Sequence, residues 1–388
     1  MAAELVWDEL PDSNTTRLRI LDPMAGSGTT LIAARLRGHE AIGYDSDPLA
    51  VLISRAWLTN VKAERAEAKA SELLLRARSR ARDLPLSKAY PRKADEETKA
   101  FVRYWFDNTN RIQLAALSDS ISRVHDRLLR DLMWCAFSRL IITKQSGVSL
   151  AIDISHSRPH RGYDTAPILV FDYFERAVKQ VMQAAVFSAD QTKRPPAYVN
   201  LADARELPMR DNSVDIVITS PPYLNAIDYV RGHKFSLIWM GHSIGNLRDL
   251  RATNVGTELA GNLSTEDGDV DHILGLMCPI DKLSNRHAGM LRHYIRDMRT
   301  VLSETRRVLR KSGRAIFVVG NCNIRNTFVQ NSKCIIGLAK ELGLVVSKTR
   351  SRLLPENRRY LPPPESVGVG KALRKRMRQE VVITLLKN

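Results

Sequence analysis

The segment from Leu18 to Leu36 constrains the fold more than any other. A short apolar run, RLRIL, passes directly into DPMAGSGTT at residues 22–30 and then into LIAARLRG. A strand pattern, a turn with two glycines and a helical stretch in succession make a strand–turn–helix unit of the α/β nucleotide-binding kind. A second strand pattern, HEAIGYD, follows at 39–45 and ends on an acid. Units of this kind bury both faces only when they build a sheet covered by helices on each side.

Further strand patterns recur along the chain: AYVNLAD (197–203), VDIVIT (214–219), RAIFVVGN (314–321), LGLVVSKTRSRL (342–353) and EVVITLLK (380–387). An amphipathic helix is expected over 293–311, closed by Gly313 as terminator, and another over Ser332 to Leu342. Seven strands interleaved with helices predict an α/β fold with a seven-stranded, mostly parallel sheet. About 150 residues separate the second and third strand patterns, far beyond the usual length of a loop, so they read as a large helical insertion. The chain divides accordingly into a first core part, 1–60, a mainly helical insertion, 61–196, and a second core part, 197–388. The last carries an irregular insertion at 226–290. Within 61–196, KAERAEAKASELLLRARSRARD (62–83) alternates charges at helical spacing and reads as a solvated helix face. SHSRPHRG (155–162) is polar, basic and broken by proline, and reads as a loop.

Composition narrows the partners. The 388 residues hold 59 Lys and Arg against 42 Asp and Glu, a formal charge of +17, while apolar residues make up 44%. The apolar share excludes wholesale disorder, and the charge points to a polyanion, of which nucleic acid is the commonest. The excess is uneven: residues 340–388 carry 12 Lys and Arg against 4 Asp and Glu, whereas DPMAGSGTT and TSPPY carry neither Lys nor Arg. Four cysteines without CxxC spacing argue for a reducing compartment and against structural zinc. They follow Trp, Met, Asn and Lys, so a Pro-Cys nucleophile is lacking. No apolar run approaches the ~20 residues of a membrane span, and the acidic start MAAELVWDELPDSN lacks a signal-peptide core. A cytoplasmic protein with neither metal nor membrane as partner is expected. EDGDVDH (266–272) reads as a solvated loop, and Pro159 separates His156 from His160, which disfavours a metal pair.

The turn is not a P-loop, because GK[ST] is missing. Gly26 and Gly28 let the backbone approach a ligand closely, and the helix start at Thr29 offers free N–H groups. Asp22 would repel phosphate and suits an ammonium group. Asp45, ending the second strand, is placed for ribose hydroxyls, and Asp203, after the third, for an adenine amino group. Ammonium, ribose and adenine together describe S-adenosylmethionine.

TSPPY follows the fourth strand. Its two prolines fix a stiff turn, of use where a carbonyl and a side chain must aim at one atom. An exocyclic amino nitrogen of a base is such an atom. Its lone pair is delocalised into the ring, and two acceptors on its N–H groups free that pair for attack on a methyl group held in line. Ser220 Oγ with the Ser220 or Pro221 carbonyl can serve, and Tyr223 offers a ring on which an extruded base stacks.

DPMAGSGTT, GYDSDPLA, LADARELPMRDNSVDIVITSPPY and RRVLRKSGRAIFVVGN resemble the successive motifs of amino-type (N4-cytosine or N6-adenine) DNA methyltransferases over about half the chain. The resemblance implies the class I methyltransferase (Rossmann-like) fold with the last strand antiparallel, and S-adenosylmethionine as methyl donor. It implies that Asp22, Pro23, Gly26, Gly28 and Thr29 hold the methionine end, Asp45 the ribose, and Asp203 with Ala204 the adenine. Ser220, Pro221, Pro222 and Tyr223 would hold the target base. The SPPY form is typical of enzymes that make N4-methylcytosine. N6-adenine methylation, a structured-RNA substrate and a catalytically degenerate DNA-binding subunit are the alternatives. Met24 stands where the family usually has Phe, and Ala33 where it usually has an acid. The expected partners are double-stranded DNA and a cognate restriction endonuclease. Arg158, His160 and Arg161 are the candidate DNA contacts, on the ground that sequence readout belongs to parts appended to the core. SHSRPHRG and LRATNVGTE (250–258) also resemble stretches of this branch.

Overall fold

The computed structural model describes residues 3–12, 16–143, 147–156, 159–185, 187, 194–222, 229–256, 268–324, 327–353 and 379–388. Tyr223 and Arg158 lie outside them. Seven strands form the main sheet: β1 (Arg19–Asp22), β2 (Glu40–Asp45), β3 (Ala197–Leu201), β4 (Val214–Thr219), β5 (Leu309–Gly320), β6 (Val345–Leu353) and β7 (Gln379–Leu386). Their spatial order is β6-β7-β5-β4-β1-β2-β3. Neighbours from β3 to β5 pair in parallel, and β7 runs antiparallel to both β5 and β6. This is the class I methyltransferase fold, with the final strand reversed. The chain leaves β1 toward β2 and β3 on one side and returns to β4 on the other, so the ends of β1 and β4 flank a topological switch point, where open α/β sheets bind ligands.

The helices are α1 (Ala3–Glu9), α2 (Thr29–Leu36), α3 (Pro48–Trp57), α4 (Ala63–Arg82), α5 (Glu96–Trp105), α6 (Asn108–Ser122), α7 (Arg127–Ile141), α8 (Val170–Ala184), α9 (Tyr229–Leu237), α10 (Ile244–Thr253), α11 (Gly268–Met277), α12 (Asn285–Val308) and α13 (Asn331–Glu341). The central strands are apolar on both faces, as parallel strands between helix layers must be. Ile20 and Ile218 pack with Leu5 of α1 and Leu31 of α2, whereas Leu21, Val217 and Phe317 pack with Leu274 of α11, Met298 of α12 and Leu338 of α13. A third core runs from Leu49 and Leu52 of α3 through Leu73, Leu117, Phe137 and Phe174 of α4, α6, α7 and α8 to Phe235 of α9 and Leu247 of α10. The helices between β2 and β3 thus share one core with the two helices that follow SPPY. On α4 the apolar stripe is Ala66, Ala70, Leu73, Leu74 and Ala77. Its basic residues meet acids of neighbouring helices: Arg65 with Asp126, Arg78 with Asp172, Arg80 with Asp119.

Four expectations are corrected. Gly313 does not end a helix: α12 stops at Val308 and β5 begins at Leu309. Gly313 lies in an irregularity of the β4–β5 pairing, where a Cβ would sit 2.8 Å from the Arg310 carbonyl and 3.1 Å from that of Asp215. Close backbone approach, not helix termination, requires the glycine. Within 226–290, the described residues 229–256 and 268–290 are mostly helical rather than irregular, carrying α9, α10, α11 and the start of α12. Gly268–His272 of EDGDVDH opens α11 with Val270 buried. SHSRPHRG is not purely a loop: Ile154–His156 forms a 3-10 turn, and His160–Arg161 pairs antiparallel with Ala151–Ile152.

Candidate cofactor and target-base site

The site is built where β1, β2 and β4 end. Asp22 is 2% exposed, and its carboxylate is a junction. Oδ1 accepts from Thr219 Oγ1 at 2.8 Å and Met24 N at 3.2 Å, and Oδ2 accepts from Thr30 Oγ1 at 2.6 Å. One acid thereby joins the end of β1, the first turn of α2 and the last residue of β4. Burial pushes its pKa up, against the three hydrogen bonds. A carboxylate has about four acceptor positions, so most of this one's capacity is spent inside the fold.

The two glycines of the turn differ. Both have positive φ, +51° at Gly26 and +83° at Gly28. A Cβ on Gly28 would meet Ser54 Oγ of α3 at 2.8 Å, whereas a Cβ on Gly26 would meet nothing within 4 Å. Gly28 is needed for packing inside the protein, and Gly26 leaves a free face beside the turn. The Gly26 peptide is fixed from both ends: its N–H donates to Asp45 Oδ2 at 2.7 Å, and its carbonyl accepts from Ser54 Oγ at 2.7 Å. Pro23 is buried, and Thr29 opens α2 half-buried.

Asp45 ends β2. Its Oδ1 accepts from Asp47 N at 2.9 Å and its Oδ2 from Gly26 N, which leaves acceptor positions on both oxygens. Burial pushes its pKa up to about 6, with the charges of Asp47 and Asp22 adding to the effect and the backbone donors opposing it. Asp47 caps α3 by accepting from Leu49 N at 2.8 Å and pairs with His233 Nδ1 of α9. Burial would raise the Asp47 pKa, but His233 outweighs it and holds the carboxyl low.

Beyond β3, both carboxylate oxygens of Asp203 are held by Arg205: Oδ1 accepts its backbone N–H at 2.8 Å and Oδ2 its Nη2 at 2.6 Å. Burial raises the Asp203 pKa, but the Arg205 contacts prevail and lower it. Arg205 also donates to Asp297 Oδ1 at 2.7 Å and to the Thr253 carbonyl at 2.6 Å. Gly256 N reaches Asp297 Oδ2 at 3.2 Å, and Ser46 Oγ reaches Asn254 Oδ1 at 3.1 Å. The described part of LRATNVGTE is thereby tied across the ends of β2 and β3. Ala204 is buried in the sheet core beside them.

At the end of β4, Ser220 Oγ donates to the Val318 carbonyl of β5 at 3.0 Å. A hydroxyl has one proton and two acceptor positions, so its lone pairs stay available. Pro221 is buried and Pro222 half-buried. The structure therefore brings Asp22, Gly26, Asp45 and Ser220 to adjacent strand ends. His160 and Arg161 are exposed on the small hairpin, with the Arg161 guanidinium 5.6 Å from the Tyr104 ring centre. Sequence reasoning missed Thr30, Ser54, Thr219, Asp47 and Arg205. Thr219, a hydroxyl at the buried end of an apolar strand, and Arg205, two residues after Asp203, were the available signals. Among the described residues, no group of three or more His, Cys, Asp or Glu is placed to hold a metal, and no helix is long and apolar enough to cross a membrane.

No family model matches the chain. It is 20% identical over 359 residues to the type II methyltransferase M.MvaI of Kocuria varians, covering 88% of this chain and 78% of that one. It is 22% identical over 259 residues to the type II methyltransferase M.BsoBI of Geobacillus stearothermophilus, covering 60% of this chain and 49% of that one, so it spans about half of that relative's length. Among solved structures, geranyl diphosphate methyltransferase in complex with GPP and sinefungin aligns at 10% identity and a TM-score of 0.36, covering 100% of this chain and 77% of that one. The fold and the two curated relatives support a methyltransferase.

Proposed function

We propose that the chain is an S-adenosylmethionine-dependent DNA methyltransferase that methylates the exocyclic N4 amino group of cytosine. The observation that carries the reading is the bond from Thr219 to Asp22, which locks the residue before SPPY onto the Gly-rich turn. Cofactor turn and target turn are thus one rigid unit, as transfer between two positioned reactants requires. The free face at Gly26 and the acceptors left on Asp45 fit the cofactor's backbone-contacting and ribose parts. S-adenosylmethionine, when bound, supplies an electrophilic methyl group.

The chain's own part is positioning and electrostatics. Asp45 accepts ribose hydroxyls. The free face at Gly26 admits the ligand against the backbone, with Asp22 holding the turn's shape. Ser220 Oγ, its proton committed to Val318, accepts an N–H of the base and draws the amino lone pair out of conjugation. Tyr223 stacks on the extruded base, and Asp203 takes the adenine amino group alongside its bonds to Arg205. Double-stranded DNA is the partner, and the helical layer, 61–196, with 226–290 reads it. Arg158, His160 and Arg161 contact phosphates or bases. The SPPY form favours cytosine over adenine, and a cognate restriction endonuclease accompanies the enzyme. Incubation of the pure protein with methyl-labelled S-adenosylmethionine and either DNA or RNA tests the reading. Label is expected in DNA, and transfer only to RNA, or to neither with no cofactor binding, would overturn it.

A further inference from the structure

Helix α9 meets three parts of the molecule at once. It starts at Tyr229, and only six residues separate it from Pro222 of the SPPY turn. On one side Gly232 abuts the basic hairpin so closely that a Cβ there would lie 2.6 Å from the Ile154 carbonyl. On another, Val230 and Phe235 enter the apolar core that contains Leu49 and Leu52 of α3. The third contact is polar. His233 Nδ1 bonds Asp47 Oδ2, with side-chain exposures of 17% and 9%. Asp47 is no isolated acid: its N–H donates to Asp45 Oδ1 at 2.9 Å and its Oδ1 caps α3. A continuous path therefore runs from the Asp45 carboxylate through the Asp47 peptide and carboxylate to the imidazole on α9.

Apolar packing alone would hold α9 against α3. It would not specify this pair, since two largely buried polar groups gain little over a well-packed apolar pair and are severely exposed to error when one partner is lost. What the pair adds is direction: it couples the position of α9 to the geometry of the Asp45–Asp47 turn. We propose that His233 is a positioning residue that fixes α9, which begins shortly after the SPPY turn, and with it the basic hairpin, to the ribose-holding end of β2. The inference rests on the function proposed above. A ligand held at Asp45 steadies the already bonded turn that carries Asp47 against local opening, and the His233 contact passes that steadying to the target side. His233 touches neither base nor cofactor in this account.

Hydrogen–deuterium exchange separates the possibilities. Peptides covering 22–30 and 229–237 are followed with and without S-adenosylmethionine in the wild type, His233→Ala, His233→Asn and Asp47→Asn. In the wild type, the ligand slows exchange in both peptides. In His233→Ala it still slows 22–30, but its effect on 229–237 is lost. His233→Asn, whose amide N–H can replace Nδ1, restores it. Asp47→Asn still caps α3 but weakens the contact from the other side, so it reproduces the loss in part and covers the case in which His233→Ala does not fold. A purely structural His233 would change exchange at 229–237 equally with and without ligand. Ligand protection of 229–237 that is the same in His233→Ala and Asp47→Asn as in the wild type overturns the inference and leaves the function standing. So does wild-type protection confined to 22–30. Absence of ligand protection at 22–30 in the wild type overturns the cofactor site, and this inference with it.

Discussion

The Gly-rich turn at 22–30 and the small hairpin made by Ala151–Ile152 and His160–Arg161 stand in opposite relations to their surroundings. In the turn, Asp22, Gly26, Thr30 and the neighbouring Asp45 are held by internal hydrogen bonds of 2.6 to 3.2 Å, and Gly28 is filled by Ser54. On the hairpin, His160 and Arg161 are exposed, and Asp153 and Asp164 stand at 3.9 and 4.0 Å from them. The difference suits the tasks proposed for each. In-line transfer needs partners that do not reorganise. A phosphate backbone is bound by solvated charges that exchange counterions, which demands no fixed geometry.

The largest expected effect lies at the rigid end. Ser220→Ala removes one acceptor for the base, and Tyr223→Ala removes the stacking ring. Each is expected to lower kcat by about 100-fold or more, with unfolding in urea unchanged for Ser220→Ala apart from one lost hydrogen bond. Retained activity in Tyr223→Ala would take stacking out of the mechanism.

Asp45→Ala is next. Loss of a charge-assisted contact to ribose costs about 1.5–3 kcal/mol, or roughly 10- to 150-fold in S-adenosylmethionine affinity by calorimetry. The same residue gives a pH test. Its carboxyl titrates at about 6, so cofactor affinity falls as pH drops through 6 and the acceptor is protonated. Folding has the opposite sign. The unfolded group titrates near 3.9, so between the two values the folded chain holds the extra proton, and this group's contribution to stability grows as pH falls and is lost as pH rises through about 6.

The glycines sharpen the comparison within the turn. Gly28→Ala forces a Cβ onto Ser54 at positive φ, a cost of about 1–3 kcal/mol in stability. Gly26→Ala carries strain but no clash, and its larger effect falls on cofactor affinity because the methyl group occupies the free face. The smallest effect belongs to the hairpin. Arg161→Ala is expected to weaken DNA binding a few-fold and to lower the salt slope by about 1. An unchanged slope would remove it from the interface.

Legibility followed the same division. β1, β2 and β4 could be read because apolar runs end on turn residues, and the strand-end acids fell where the motif spacing put them. The helices at 229–277 could not, because their stability comes from partners far along the chain: Phe235 packs edge-on to Trp105 and Phe101, with ring centres 5.1 and 4.9 Å away. Gly313 misled because a glycine after a helix looks the same whether it ends the helix or admits a neighbouring backbone. The Asp47–His233 pair joins residues 186 apart, and no local pattern announces it. Asp22 was found by its position, yet its spacing could not reveal that it binds Thr219 across the sheet.

The central claim is the chemistry of the product. DNA from a host without methylation of its own, expressing this chain, can be digested to nucleosides and analysed by mass spectrometry. N4-methylcytosine is the predicted product, and it should vanish with Ser220→Ala. N6-methyladenine in its place, or unmodified DNA from a host with abundant folded protein, would contradict the account.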